Sequence, residues 1–455
     1  MALRVSHDAP AVKHALLAVS ALHEATERRR NADKLGGLED GFAVVEYNRA
    51  IRCLMELKDQ DSRKEAAVSL VTCVLFVCLE FMRGNISAAQ KHIRSGSAIL
   101  DVEFNSRDCQ SPKKITETDI MEELSTTFSR MRLQSILFDN NGIPNMIKGF
   151  SNLDPTVYQF SSISEARAVH YALSANAAIF IYSTTEVKYS LDVTIAQLAT
   201  QACMESQFQN WRQSFHTFIS VQCPNLTPRE IKASKVLRIQ NLVMFLWLST
   251  CLTPDECAYD AFYTEFETII NLASEIAEEG NSKTMSLFHF DMGIIPPLHF
   301  VGTKCRFPNL RRQILQILGM AHWKEGMFDS YRSYRYIHVL MKIEESAVVT
   351  SPGSKDLTQT LPPECARLHF AELGPVGPDS VKQRLTLVAR PRGLFEAPLV
   401  WEVWIPTSGP LPEVRPWSPR KTNVTGYPDM SVLGEDNTFM MDGGVASGNS
   451  LFNQL

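Results

Sequence analysis

The sequence has no pair of cysteines at C-x-x-C spacing. Its ten cysteines lie at positions 53, 73, 78, 109, 203, 223, 251, 257, 305 and 365, so neither a zinc finger nor a thioredoxin-like redox motif is indicated. We expect free, mostly buried thiols. Glycine-rich phosphate loops and the G-x-S-x-G turn of serine hydrolases are missing too. Motifs therefore predict no catalytic, cofactor-binding or metal-binding residue.

The sequence also has little that would place it in a membrane or on nucleic acid. Asp8 and Lys13 interrupt any apolar core of a secretory signal. The two most apolar windows, 68–82 and 242–252, are shorter than the roughly 20 residues that a membrane-spanning helix needs. A formal net charge of -5 gives no overall positive field for phosphates. We expect no membrane association and no direct DNA binding from this chain.

Helical periodicity of apolar residues dominates up to about residue 346. Helices are predicted at 12–30, 42–57, 65–82, 86–100, 124–138, 164–182, 191–220, 228–252, 256–279, 297–305, 309–322 and 329–346. No fixed repeat length relates these segments, which argues against a solenoid of helical repeats. The predicted fold class is mainly α, an irregular multi-helical domain of packed antiparallel helices over 1–346.

A sharp turn is predicted within the stretch CLEFMRGNISAAQ, residues 78–90. Gly84 can adopt the left-handed conformation that ends a helix, and Arg83 carries a charge that suits the helix C-terminus. Asn85 can cap the N-terminus of the next helix. One helix should therefore end at this turn and another should begin at once.

The C-terminal part differs in composition, because residues 347–455 hold 13 of the 23 prolines and cannot continue a helical bundle. Segments 365–370, 384–389 and 399–405 have the β-branched, aromatic or alternating character of short strands. They predict a small β-containing extension over 347–405. Residues 406–455 are rich in Pro, Gly, Ser and Asn and are predicted to be a disordered tail.

One cluster of positive charge stands out, formed by Lys304, Arg306, Arg311 and Arg312. It could contact phosphate or DNA. The more ordinary interpretation is a solvated helical corner whose cations pair with acids such as Glu275, Glu278 or Glu279.

The best candidate for an enzyme site or a ligand set is His289 and His299, which flank Asp291. Their spacing matches no established metal motif. A chance grouping is the preferred interpretation, and an enzyme stays the third alternative for the function.

Several segments together resemble the helical regulatory region of the fungal transcription factors that carry a six-cysteine binuclear zinc cluster. The resemblance rests on HDAPAVKHALLAVSALHE, EYNRAIRCL and VTCVLFVCLEFMRGNISAAQKHIRSGSAIL in the first hundred residues. It continues in FHFDMGIIPPLHFVGTKCRFPNLRRQIL and KEGMFDS near residue 300. It covers about residues 1–346, the proposed regulatory domain.

The residues that the resemblance picks out are architectural, and none is catalytic. One helical corner would consist of Leu79, Glu80, Arg83, Gly84 and Asn85. A second would consist of Gly293, Ile294, Pro296, Pro297, Lys304, Cys305 and Arg306.

The family's DNA-binding module, which holds two zinc ions with six cysteines, has no counterpart in this sequence. Relative to the family the chain is expected to be N-terminally truncated, either because the coding sequence lacks its 5′ part or because the module was lost. Zinc is expected only in that missing module, and no cofactor is expected in this chain.

The resemblance implies a nuclear regulator of RNA polymerase II transcription. Its partners would be proteins of the transcription machinery or related factors, together with a small-molecule effector lodged between helices. The alternative is a helical interaction scaffold, or an inhibitor that binds related transcription factors.

Overall fold

The structure is a computed structural model of the 455-residue chain. It describes residues 5, 7, 9–31, 41–56, 62–105, 115–138, 158–190, 192–280, 288–320, 322–349, 361–374, 381–409 and 411. Contacts divide the chain into two compact units. Unit 1 comprises Met1–Phe150, Ser286–Met292 and Trp323–Met327, and unit 2 comprises Ser151–Met285, Gly293–His322 and Phe328–Leu455.

The described residues of unit 1 form five α-helices: α1 Pro10–Asn31, α2 Gly41–Met55, α3 Ser62–Arg83, α4 Ile86–Asn105 and α5 Ile115–Phe138. The strands β1 (Phe288–His289) and β2 (Lys324–Glu325) add a short parallel pair. These two-residue strands are too short to give a sequence pattern, and they were not predicted.

Helix α3 lies at the centre of unit 1, packed against α1 and α4. Leu79 and Met82 near its C-terminus belong to a buried cluster with Ala18 and Leu22 of α1 and Ala43 of α2. Apolar residues on nearly all sides of α3 suit this central position, because a helix without a polar face must be covered all round.

The apolar window 68–82 was predicted to be too short to span a membrane, and this prediction is wrong for α3. Its segment Glu65–Arg83 is long and apolar enough to cross a bilayer by length and composition. In the fold, however, 72% of that window is buried, which is what a core helix of a globular unit requires.

The described residues of unit 2 contain seven α-helices. They are α6 Ile163–Ser183, α7 Ile195–Gln222, α8 Pro228–Thr250, α9 Tyr263–Gly280, α10 Ile295–Lys304, α11 Pro308–Gly319 and α12 Ser330–Val349. Short 3-10 helices precede α9 at Glu256–Phe262 and precede the C-terminal strands at Glu364–Ala366. The helix predicted over 256–279 is therefore two elements, with Asp255 capping the first by accepting a hydrogen bond from the Cys257 amide.

Helix α8 is the central helix of unit 2, in contact with α6, α7 and α9. Its N-terminus is well defined, because Thr227 and Glu230 form a reciprocal capping box. Trp211 of α7 is fully buried and donates a hydrogen bond from its indole nitrogen to the carbonyl of Ala166 at 2.9 Å. The indole therefore ties α7 to α6.

The C-terminal β extension of unit 2 is an antiparallel sheet in the order β4-β5-β6. Its strands are β4 Leu368–Leu373, β5 Lys382–Ala389 and β6 Leu399–Pro406. In the central strand β5, Gln383, Leu385 and Leu387 are buried while Lys382 and Arg384 are exposed. This alternation is the signal that predicted the strand, and all three predicted strands are confirmed. Outside this sheet, the two-residue strand β3 (Phe328–Asp329) precedes α12.

The predicted fold class is confirmed: packed helices dominate, and a small sheet follows them. The segmentation into 1–346, 347–405 and 406–455 stays a prediction. The tail predicted to be disordered lies outside the described residues, apart from 406–409 and Leu411.

Candidate functional site

The first family corner lies in unit 1 and has the predicted helix ending. Gly84 adopts a φ of 74°, its amide donates to the carbonyl of Phe81 at 3.0 Å, and the amide of Asn85 donates to the carbonyl of Glu80 at 2.9 Å. The Asn85 side chain then accepts from the amide of Ala88 at 3.3 Å. The turn that joins α3 to α4 is therefore built from a left-handed glycine and an asparagine cap.

The other residues of this corner anchor it. Glu80 is buried at 2% exposure and lies 3.6 Å from Arg83, while Leu79 packs into the core of unit 1. Their role here is to hold a turn, and their assignment to a family motif stays a prediction.

The second family corner lies in unit 2 and surrounds α10. Pro296 and Pro297 occupy the first turn of this helix, where a missing amide hydrogen costs nothing. The helix ends at Lys304, and the backbone of Cys305 is extended. Arg306 follows, and it lies at the centre of a buried ionic network.

All five donor groups of the Arg306 guanidinium are used. It contacts Glu344 Oε1 at 3.1 and 3.2 Å and Glu256 Oε2 at 3.1 Å. It also donates to the backbone carbonyls of Lys304 and Leu368 at 2.8 and 2.9 Å. The side chains of Arg306, Glu256 and Glu344 are at most 1% exposed. A buried cation is tolerated only when its charge and its hydrogen bonds are satisfied in this way.

The network extends to three more cations. Arg311 reaches Glu344 Oε2 at 2.5 Å, and Lys304 reaches both oxygens of Glu256 at 2.8 and 2.9 Å. Lys188 lies 3.7 Å from Glu256. Burial alone would raise the pKa of Glu256, but the nearby charges of Lys304, Arg306 and Lys188 outweigh it, so its pKa lies below the usual range. Glu256 therefore stays ionised.

The network binds the β extension to the helices of unit 2 through hydrogen bonds and ion pairs. Glu344 of α12 accepts from the amide of Leu368 in β4 at 2.9 Å, and Lys304 donates to the carbonyl of His369 at 3.2 Å. Arg367, just before β4, pairs with Asp260 at 2.6 and 2.8 Å. Charged residues thus hold this sheet in place.

The interpretation of 304–312 as a solvated corner is wrong for most of its members. Arg306 and Arg311 are buried, and their partners are Glu256 and Glu344. Glu275 and Glu279 pair with Lys235 instead. Only Arg312 fits the prediction, because it is 56% exposed and pairs with Glu345 at the surface.

The sequence did not reveal that Glu256, Glu344 and Arg367 belong to this ionic network. They are distant along the chain from Arg306, and no spacing rule connects them. One signal was available in the sequence, a charged residue within the apolar face of a helix, such as Glu344 after Ile343 on α12. A charge in that position indicates a buried partner of opposite charge.

The residues of the enzyme alternative have separate partners. Asp291, in unit 1, is 54% exposed and pairs with Arg130 at 2.9 Å, and His289 is exposed in β1. In unit 2, His299 is half-buried beside Ser333 and stacks on Tyr336 at a centroid distance of 4.7 Å. Desolvation lowers the pKa of His299 to about 4, so the ring is neutral at pH 7.

A surface groove of about 470 Å³ runs along α7 in unit 2. Tyr158, Phe160 and Phe218 provide aromatic walls, and Asn210, Gln213 and Ser214 provide uncharged polar groups. This size lies within the range of small-molecule sites. Its lining suits a neutral ligand with a flat apolar part.

The chain is similar to the aspercryptin biosynthesis cluster-specific transcription regulator atnN of Emericella nidulans. The two are 20% identical in an alignment 442 positions long, which covers 78% of this chain and 71% of the relative. No protein-family model and no solved structure matches the chain. The similarity supports a place among fungal transcription regulators.

Proposed function

We propose that this chain is a nuclear transcription regulator, and that it is the helical regulatory region of a fungal factor of the zinc-cluster type. The observation that carries the proposal is the similarity to a fungal transcription regulator along 78% of the chain. The mainly helical fold with its two family corners is consistent with it. On this proposal the chain regulates RNA polymerase II transcription and performs no catalysis.

The proposed mechanism works through protein contacts. The net charge of -5 and the buried pairing of Arg306, Arg311 and Lys304 with acids leave this cluster unsuited to bind DNA phosphates. The chain would therefore reach promoters through a DNA-binding module or partner, and it would contact the transcription machinery or related factors itself.

A reporter assay tests the proposal. The full chain is fused to a heterologous DNA-binding domain and placed at a fungal promoter that carries its binding sites. We expect reporter transcript to rise or fall at least severalfold relative to the DNA-binding domain alone. Unchanged transcript at matched protein level and nuclear location would contradict the proposal.

The alternative function is an inhibitor that binds related full-length factors. Affinity purification of the chain from the fungal nucleus, followed by mass spectrometry, separates the two functions. Recovery of full-length zinc-cluster factors without components of the transcription machinery would favour the inhibitor.

The groove along α7 is our candidate for the effector site. Nile red, a neutral aromatic dye, serves as a probe, since its fluorescence rises in apolar sites. We expect Ser214→Trp, which fills the groove, to reduce dye binding severalfold, while the exposed Ser220→Trp on the same helix leaves it unchanged. Equal dye binding by both variants would remove the groove as the site.

A further inference from the structure

Two distant segments of unit 2 bring three metal-ligand side chains together. Asp255 and Cys257 lie at the start of the 3-10 helix Glu256–Phe262, and Glu364 begins the 3-10 helix before β4. One ligand atom from each residue lies within 4.8 Å of the other two. All three residues are half-buried, so the group is partly shielded from water and still open to an ion.

A single backbone amide orients the two carboxylates. The Cys257 amide donates to Asp255 Oδ1 at 2.7 Å and to Glu364 Oε2 at 3.1 Å. Each carboxylate therefore keeps its second oxygen for another partner. Two carboxylates held this close repel each other unless a proton or a cation lies between them.

A histidine provides an independent observation. His369 of β4 has a side chain only 1% exposed, and its Nε2 lies 2.9 Å from Glu364 Oε1. This contact makes the imidazole a polar partner of the Glu364 carboxylate. The other ring nitrogen, Nδ1, lies 3.2 Å from the hydroxyl of Tyr189. A carboxylate that ligates a metal ion is commonly held by a hydrogen-bonding partner of this kind.

The cations nearest to this group are already paired. Arg367 binds Asp260 through both terminal nitrogens, and Lys304 binds Glu256. Their main partners are therefore acids outside the group.

We propose that Asp255, Cys257 and Glu364 bind a zinc ion that joins the 3-10 helix of residues 256–262 to the segment before β4, and that His369 holds the Glu364 carboxylate in position. A thiolate ligand favours zinc over calcium or magnesium, which prefer oxygen ligands. Three protein ligands leave the fourth position of a tetrahedral zinc site to water. The role is to fasten the β extension, and it does not depend on the proposed transcriptional function.

This proposal revises the expectation, drawn from cysteine spacing, that the chain holds no metal. Asp255 and Cys257 are separated from Glu364 by more than 100 residues, so no local motif could reveal the group. A single cysteine also escapes any search for cysteine pairs.

Cobalt substitution tests the site. The purified full chain is treated with a chelator and titrated with Co²⁺, whose bond to a thiolate gives a charge-transfer band in the near ultraviolet. We expect one equivalent of Co²⁺ to produce this band and one equivalent of Zn²⁺ to abolish it. Cys257→Ser should remove the band, and His369→Gln should weaken zinc binding at least about tenfold.

The matched control is Cys365→Ser, which replaces a half-buried thiol next to Glu364 that is outside the group. It should retain both the band and the zinc affinity. Loss of the band in Cys365→Ser with retention in Cys257→Ser would overturn the assignment.

X-ray absorption at the zinc edge of the wild-type chain provides a measurement that needs no variant. One sulfur and three nitrogen or oxygen neighbours are expected. Two results would mean an adventitious ion only and would overturn the proposal. The first is that less than one equivalent of zinc remains bound after desalting. The second is that the bound zinc has only nitrogen and oxygen neighbours.

Discussion

Arg306 shows how far a residue's role can depart from its local sequence. It lies among four positive charges within nine residues, a pattern that is usually solvated. In the fold it is buried between Glu256 and Glu344. Only the tertiary structure brings those acids, 50 and 38 residues away, to the guanidinium.

We predict that Arg306→Ala destabilises unit 2 by about 3–5 kcal/mol, because it leaves two buried carboxylates without their main counter-charge. Arg312→Ala is the matched control. Its pair with Glu345 is at the surface and should contribute at most about 1 kcal/mol. Urea denaturation followed by circular dichroism measures both, and equal midpoints for the two variants would refute the account of the network.

Two desolvated histidines, His170 and His299, predict how stability depends on pH. Burial lowers the pKa of His170 to about 3 and that of His299 to about 4, from 6.5. Below pH 6.5 these two histidines become protonated in the unfolded chain but stay neutral in the folded chain. Stability from these residues is therefore complete above pH 6.5 and is lost as the pH falls towards 4 and then 3.

We predict that the free energy of unfolding of unit 2 falls below pH 6.5 by up to about 1.4 kcal/mol per pH unit for each histidine. His299→Asn should reduce the slope between pH 6.5 and 4, and the exposed His216→Asn should not. Urea unfolding at a series of pH values measures the slopes. A constant free energy from pH 7 to pH 4 would contradict this account.

At the scale of elements, periodicity predicted the helices and strands well. Most predicted boundaries lie within a few residues of the structure, because caps and prolines mark them, as Thr227 and Pro228 do for α8. The two-residue strands and the 3-10 helix at Glu256–Phe262 were not predicted, since so short a segment has no period to detect.

The crossing of α10 and α12 gives a prediction at this scale. A Cβ at Gly302 would lie 2.5 Å from Ile337 Cδ1, with two more atoms of that side chain within 2.9 Å. We expect Gly302→Ala to force the helices apart or to distort Ile337, at a cost of about 1–3 kcal/mol. Thermal denaturation monitored by circular dichroism measures the change.

Gly41→Ala is the control, because nothing lies within 4 Å of the added atom at the first residue of α2. It should be neutral or slightly stabilising, by at most about 1 kcal/mol. Equal changes in stability for Gly302→Ala and Gly41→Ala would contradict the close approach of α10 and α12.

At the scale of the whole molecule, the sequence predicted a mainly helical chain with a small C-terminal sheet, and the structure confirms this. The candidate sites were less predictable. The ionic network, the groove along α7 and the group around Cys257 all join residues from separate segments, and such convergence leaves no fixed spacing in the sequence.

The measurement that tests transcriptional regulation most directly is nascent RNA sequencing after rapid degradation of the chain in its native host. We predict that a defined set of genes changes transcription within minutes and recovers when a degradation-resistant copy is expressed. Nascent transcription that stays unchanged while the protein disappears would contradict the account.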